Sequence, residues 1–267
     1  MAGSWFQVGY EAVVAESARI TSFRQPRRFF LKPGKTGDVV YVDDDATSFY
    51  EHSYRRNGDW HELSCSSPLK IDACCRRLGE PYYVGLYTVV DCSRYTGQDG
   101  KVYQFELKAF AAKIGSLQTL RRKRQTLVSF AYRKCCIARD TDKSPASGND
   151  FTFGDEVKDH DKLFAITNYK GKLLKDLYDA AESDPEEFQK LSKTFQFQRD
   201  GEGRLVRRVP AFNYEVLYMP HSEEEIQRIL SGEILAGGDF NKQQPGKPGT
   251  GPGPGGAAGG NTQGVDF

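Results

Sequence analysis

Residues 81–110 read PYYVGLYTVVDCSRYTGQDGKVYQFELKAF, two apolar and aromatic runs on either side of a Gly-Gln-Asp-Gly segment. From Val102 to Leu107 apolar and polar residues alternate with period two, as in a strand that buries one face. The two runs are therefore expected to pair antiparallel across the glycine turn. Working outward, residues up to about 153 are rich in β-branched and aromatic types and are broken by turn dipeptides such as Asn57-Gly58 and Asp99-Gly100, the pattern of short strands joined by hairpins. AAKIGSLQTLRRKRQ (111–125) predicts a short helix or loop, and LVSFAYRKCCIARD (127–140) a further strand. No regular βαβ alternation is present. The expected fold is mainly β with additional helices (α+β), an OB-type five-stranded barrel over residues 1–154 with a small hairpin insert at 50–80.

Beyond that core, residues 155–236 mix helix and strand. GKLLKDLYDAAESDPEEFQKLSKTF (171–195) has apolar residues at helical intervals and a Ser-Asp-Pro-Glu start for a second helix. Ser222-Glu223-Glu224-Glu225 offers a capping box before Ile226. These helices are expected to pack on the core. The last segment, 237–267, includes PGKPGTGPGPGGAAGGNTQGVDF; with so little apolar surface it is expected to be a disordered linker. It ends in Val265-Asp266-Phe267, and Asp266 with Phe267 form a candidate partner-docking tip.

The net charge of +1 names no partner, but charge is sorted along the chain. Residues 101–140 hold ten Lys or Arg against two carboxylates (10 − 2 = +8), and residues 155–190 six Lys against ten carboxylates (6 − 10 = −4). A basic middle fits a polyanion surface. No apolar run reaches the roughly 20 residues of a membrane span, and the start MAGSWFQVGYEAVVAES lacks a signal-peptide pattern. A cytoplasmic location, within a host cell if the protein is viral, is expected, so the six cysteines read as thiols or metal ligands rather than a disulfide framework.

His52 and Cys65 flank the Asn57-Gly58 turn, so a hairpin brings both to one end, and Cys74 and Cys75 follow after a short loop. Zinc takes three or four such donors in a tetrahedron. Three are at hand; His61 or the second member of the cysteine pair is available as a fourth, while Leu78 occupies the position that would complete a C-x2-C. The alternative is a set of buried thiols at a strand end.

Single-strand binding needs aromatic platforms among cations: bases stack on rings for about 1–3 kcal/mol each and cations neutralise phosphates. Arg24, Arg27 and Arg28 precede Phe29-Phe30, and Arg55 and Arg56 precede Trp60. Tyr82, Tyr83 and Tyr87 share one strand, and Tyr103 and Phe105 follow Lys101 and precede Lys108. Arg121-Arg122-Lys123-Arg124 precede Tyr132-Arg133-Lys134. In a β-rich protein many such rings belong to the core.

Arg56-Asn57-Gly58-Asp59-Trp60 leading into Cys65-Ser66-Ser67, with His52 upstream and a cysteine pair downstream, resembles the zinc subdomain of tailed-phage single-stranded DNA-binding proteins, the helix-destabilising replication proteins. The order of PYYVGLYTVVDC, DGKVYQFELKAF, a basic connection and a strand ending near SPASGNDFTF resembles that family too, over residues 29–153. The resemblance implies an OB fold whose cleft binds single strands without sequence preference. It also implies a tail that recruits replication or recombination proteins. By position His52, Cys65 and Cys75 match three of the family's zinc ligands, and Leu78 stands where the last cysteine is expected. The tail is less acidic than the family's usual tails.

Other chemistries are thinner. Gly34-Lys35-Thr36 lacks the upstream glycine of a phosphate loop, where Phe29 stands, and reads as a turn feeding a strand. Asp43-Asp44-Asp45 is the one carboxylate run that would serve a metal-dependent nuclease. A β-rich phage structural protein is the remaining alternative. Neither a nucleophile elbow nor HExxH occurs, and the expectation is a binding protein rather than an enzyme.

Overall fold

The run 82–91 becomes β5 (Tyr82–Asp91), the strand around which the sheet is built. One edge bonds along its length to β8 (Glu106–Lys113), antiparallel, from Val84↔Lys113 to Asp91↔Glu106. Its other edge is shared. The first half takes β3 (Thr47–Arg56) and the second half β2 (Lys35–Tyr41), both antiparallel. This computed structural model describes residues 25–56, 59–96, 100, 102–141 and 148–232. The Asn57-Gly58 turn, Lys101, the tail and its Asp266-Phe267 tip lie outside the described residues, and the side chains of Arg56 and Trp60 are likewise not described.

The strands assemble into one mostly antiparallel sheet. From β2 it continues through β9 (Arg133–Arg139) to β10 (Asp150–Glu156), and from β8 through β11 (Asn168–Tyr169) to β12 (Lys172–Leu173). β1 (Arg28–Phe29) adds to β8 in parallel, and β4 (Asp59–Ser64) closes a hairpin with β3. Short strands β6 (Tyr95–Thr96) and β7 (Val102–Tyr103) form a separate ribbon, as do β13 (Phe195–Gln196) and β14 (Ala211–Phe212). The α+β class stands; no closed five-stranded barrel is seen among the described residues, where β10 and β12 end the sheet path without meeting. Closure depends on pairing between strands distant in sequence, which local alternation does not encode.

Alternation along β5 divides the core in two. Val84, Leu86 and Val90 face a layer supplied by residues 157–218, including Leu163, Tyr178, Phe195 and Phe212. That layer contains α3 (His160–Ile166), α4 (Leu174–Ser183), α5 (Pro185–Ser192) and α6 (Tyr214–Leu217). Asp184 caps α5 through the N–H of Glu186, with Pro185 pre-set at its first position. Tyr87 and Val89 face the opposite side with Tyr41, Phe110, Phe130 and Ile137. Burying such a side chain stabilises by about 1.5–3 kcal/mol, so a strand buried on both faces anchors both layers.

On that second side lies α2 (Ile114–Arg124), the helix carrying the 121–124 cations. It approaches β5 at Gly85, where an added Cβ would stand 2.6 Å from Leu117 Cδ2 and 2.9 Å from Ala46 Cβ. Replacing Gly85 by Ala is expected to cost about 1–3 kcal/mol by overpacking, read as a lower urea midpoint with unchanged slope; an unchanged midpoint contradicts this close approach.

Candidate metal centre and the surface beside it

The β3–β4 hairpin pairs His52 with Leu63 and Glu51 with Ser64. One residue beyond β4, the Cys65 N–H donates to the Tyr50 carbonyl at 2.8 Å, fixing Cys65 beside His52. The chain then turns through a 3-10 segment (Ser67–Leu69), with Pro68 inside it and Lys70 left-handed at φ 62°. Bonds from Lys70 N to Ser67 O and from Ile71 N to Ser66 O close the turn, so α1 (Ala73–Leu78) starts next to Cys65.

Four donors thereby converge. Cys65 Sγ lies 3.5 Å from Cys75 Sγ and 4.0 Å from Cys74 Sγ, and Cys75 Sγ lies 3.6 Å from His52 Nε2. All four ligand atoms fall within 4.8 Å of one another. A tetrahedral ion with bonds of about 2.3 Å to sulfur and about 2.0–2.1 Å to nitrogen sets edges of about 3.8 Å and about 3.6 Å. The Cys65–Cys75, Cys65–Cys74 and Cys75–His52 separations lie close to those edges, so this cluster could hold a metal ion. Adjacent cysteines serve together because they sit in the first turn of α1. Of the other candidates for the fourth position, Leu78 packs beside the cluster and His61 stacks on Tyr54 at 5.3 Å.

The electrostatics fit the same chemistry. Burial lowers the His52 pKa, keeping the imidazole neutral with a lone pair available, and its Nδ1 is buried without a hydrogen-bond partner. Burial opposes ionisation of Cys65, but hydrogen bonds from Ser67 and the neighbouring thiols bring a net lowering. Cys75 goes the other way, pushed up to about 12 by burial and by Cys65 and Cys74. Cys75 on its own is therefore a thiol, and ionising these thiols together in so small a volume would take a cation among them. The Ser66 N–H donates to Cys74 Sγ at 3.4 Å, a support of the kind that orients metal-bound sulfur.

Several predicted surface cations are instead tied down inside. Arg28 makes a two-armed bridge to buried Glu51 at 2.9 and 2.6 Å, and Tyr82 OH donates to the same carboxylate at 2.6 Å. Arg27 bonds Glu106 at 3.0 Å and lies 5.3 Å from the Tyr103 ring. Lys108 is buried against Asp91 at 2.7 Å. Buried charge must be paired, and the carboxylates that pair these lie on strands remote in sequence. Tyr87 is core, packed 5.3 Å from Tyr41; Tyr103 stacks on Tyr95 at 5.3 Å. Phe105 and Tyr132 are half-buried against the main core, and Tyr132 OH donates to the Val209 carbonyl at 2.9 Å. Arg133 reaches the carbonyl of Gly154 at 2.9 Å, and Lys134 is half-buried on β9.

Other predicted residues do reach the surface. Tyr83, Arg55, Arg121, Arg122 and Lys123 are exposed. Arg124 is half-buried, 3.7 Å from Asp44 and 5.5 Å from the Phe130 ring. Arg121 and Arg124 line an open cleft of 390 Å³ with Asp44, Asp45, Tyr87 and Phe130. Sequence reasoning missed Tyr50. It is 47% exposed, stands opposite Tyr83 (39% exposed) across β3 and β5, and meets it edge-on at 5.2 Å. Tyr83 shares its face of β5 with Gly85 and therefore with α2. Phe30, 71% exposed beneath Arg139 at 5.4 Å, is a second exposed ring.

No family model matches this chain, and no curated protein matches its sequence. Among the described residues no helix is long and apolar enough to cross a membrane. Any reading of function therefore rests on the chain's own chemistry.

Two of the three carboxylates in the Asp43-Asp44-Asp45 run have internal work. Asp44 accepts from Ser129 Oγ, Phe130 N and Ala131 N at 2.6, 2.7 and 3.2 Å; burial works against its ionisation, yet these bonds and Arg124 lower its pKa. Asp43 accepts from the Thr88 N–H at 2.5 Å, and burial, opposed by that bond and reinforced by Asp44, pushes its pKa up to about 7. A carboxyl raised in the folded state stabilises fully below its unfolded value of about 4 and loses that contribution as pH climbs to about 7. Asp43→Asn keeps the acceptor for Thr88 and removes the titration. Its stability relative to the parent should rise between pH 4 and 7 by up to about 4 kcal/mol, then level off; parallel pH curves for the two proteins would contradict the assignment.

Proposed function

We propose that the protein is a non-enzymatic single-stranded DNA-binding protein, of the kind found in tailed-phage replication, with a zinc ion held by His52, Cys65, Cys74 and Cys75 as a structural clamp. Three sulfurs and one imidazole favour zinc over the hard, oxygen-seeking ions. The kinship with OB folds stays part of the proposal and rests on the resemblance at residues 29–153. The same holds for recruitment of replication or recombination proteins by the tail ending in Asp266-Phe267.

One observation carries the reading. The exposed Tyr50–Tyr83 ring pair is attached to the metal centre: Tyr50 lies two residues from His52 on one face of β3, and its carbonyl accepts from Cys65 N–H. A clamp on those residues holds two exposed rings, set edge-on to each other, at low entropic cost, and the open face of either ring suits the stacking of an unpaired base. The cations of α2 are on the side of the sheet toward which Tyr83 points, suited to a phosphate backbone. A protein that binds only unpaired strands melts transient duplex by shifting the equilibrium.

Titration of an unstructured oligonucleotide at two salt concentrations tests this. Binding should weaken with salt. Tyr83→Ala should cost about 1–3 kcal/mol of affinity with little change in salt dependence. Neutralising Arg121, Arg122 and Lys123 together should flatten the dependence by about 0.7 in log–log slope for each phosphate that is no longer neutralised. Absence of binding at low salt, or equal affinity for duplex, overturns the proposal.

A further inference from the structure

The last described helix, α7 (Glu223–Ser231), covers the metal clamp, and we propose that its docking is coupled to metal binding, so that the ion and the C-terminal helix hold one surface in place together. The inference rests on the metal reading above and adds a function for the helix.

Ile226 and Ile229 of α7 are fully buried in a cluster with Tyr54, Leu63, Cys65, Ala73 and Cys74. Two of those partners are donors of the clamp. The buried side chains of α7 join this cluster and neither core of the main sheet, so the helix stands on the clamp rather than on β5. Polar ties run the same way. Ser66, whose N–H supports Cys74 Sγ, donates its hydroxyl to the His221 carbonyl at 2.8 Å, just ahead of α7. Arg76 of α1 meets Glu223 of α7 at 3.1 Å.

Neither partner supports itself. α1 has six residues, the 3-10 turn before it has none buried, and α7 has nine residues, all short for a helix in water. A reciprocal capping box, with Ser222 Oγ accepting from the Glu225 N–H, starts α7, and Gly232 ends it at φ 92°. What remains is the apolar contact of Ile226 and Ile229 with a surface whose shape the four donors set. Without the ion, Cys65, Cys74 and Cys75 are joined only by weak thiol contacts of 3.5 and 4.0 Å, and the floor beneath α7 loosens. Linkage makes the effect reciprocal: whatever factor metal adds to helix docking, the docked helix adds to metal affinity.

Hydrogen exchange on the full-length chain, with zinc and after chelation, reads the coupling directly. Removing zinc should speed exchange across residues 223–231 by at least about tenfold, as expected when a local unit opens while the rest stays closed; β5 should be unchanged. Ser222→Ala weakens α7 from its exposed start without altering the clamp, and should weaken zinc binding about fivefold, the size of a lost cap, in competition with a chromophoric chelator. Ile229→Ala should weaken it further. Unchanged α7 exchange in a chain that binds one zinc sinks the coupling and leaves the metal reading standing. Zinc affinity equal to the parent's in both variants sinks it too, as does a loss of protection shared equally by β5. A chain that takes up no zinc removes the metal reading and this inference together.

Discussion

Three sulfurs and an imidazole gather within 4.8 Å of one another, largely out of water, and a cation bound among them would tie together the segments that carry them. Such a group repels itself when its thiols ionise. A divalent cation removes that difficulty. Two of the parts that meet at this point, a six-residue helix and a nine-residue helix, are short enough to be marginal in water on their own. The third, the β3–β4 hairpin, is also held by the pairing of β3 with β5, which sets Tyr50 against Tyr83 and leaves both rings exposed.

Beside the clamp, a second set of interactions explains where the cations go. Glu51 precedes His52, a candidate ligand, and is buried, so it demands a partner, which Arg28 and Tyr82 supply. Glu106, also buried, takes Arg27, Lys108 and Tyr95. Removing one member of such a group leaves a buried charge uncompensated, a cost of several kcal/mol, whereas the pairing itself adds little net stability. These arginines and lysines therefore join β1 and β8 to their neighbours. Of the cations expected to meet a polyanion, Arg55 on β3 and Arg121, Arg122 and Lys123 on α2 are offered to solvent.

The local features of the chain were readable. The two apolar runs around the glycine segment do pair antiparallel, as β5 and β8, but the alternating stretch 102–107 is not one strand: the chain turns at Phe105 (φ 55°), Val102–Tyr103 pairs with Tyr95–Thr96, and β8 starts only at Glu106. Asp184-Pro185 and the Ser222–Glu225 box mark helix starts that the structure has. The donor set His52, Cys65, Cys74 and Cys75 was also readable, because a hairpin and one short turn bring it together. Non-local pairing was not. Nothing near Tyr50 announces that β3 lies against β5, and nothing near Arg28 announces Glu51 at 23 positions' distance. The sheet path that does not close among the described residues has the same origin, since the strands that end it are fixed by contacts spread along the chain. Composition alone does not separate a ring that lies in the core, such as Tyr87, from one on the surface, such as Tyr83 on the same strand.

Zinc-edge X-ray absorption of the purified full-length chain, together with its metal content, bears most directly on the clamp. The account predicts about one zinc per chain, with three sulfur neighbours at about 2.3 Å and one nitrogen at about 2.0–2.1 Å. A chain without stoichiometric zinc, or zinc surrounded by oxygen and nitrogen alone, contradicts it.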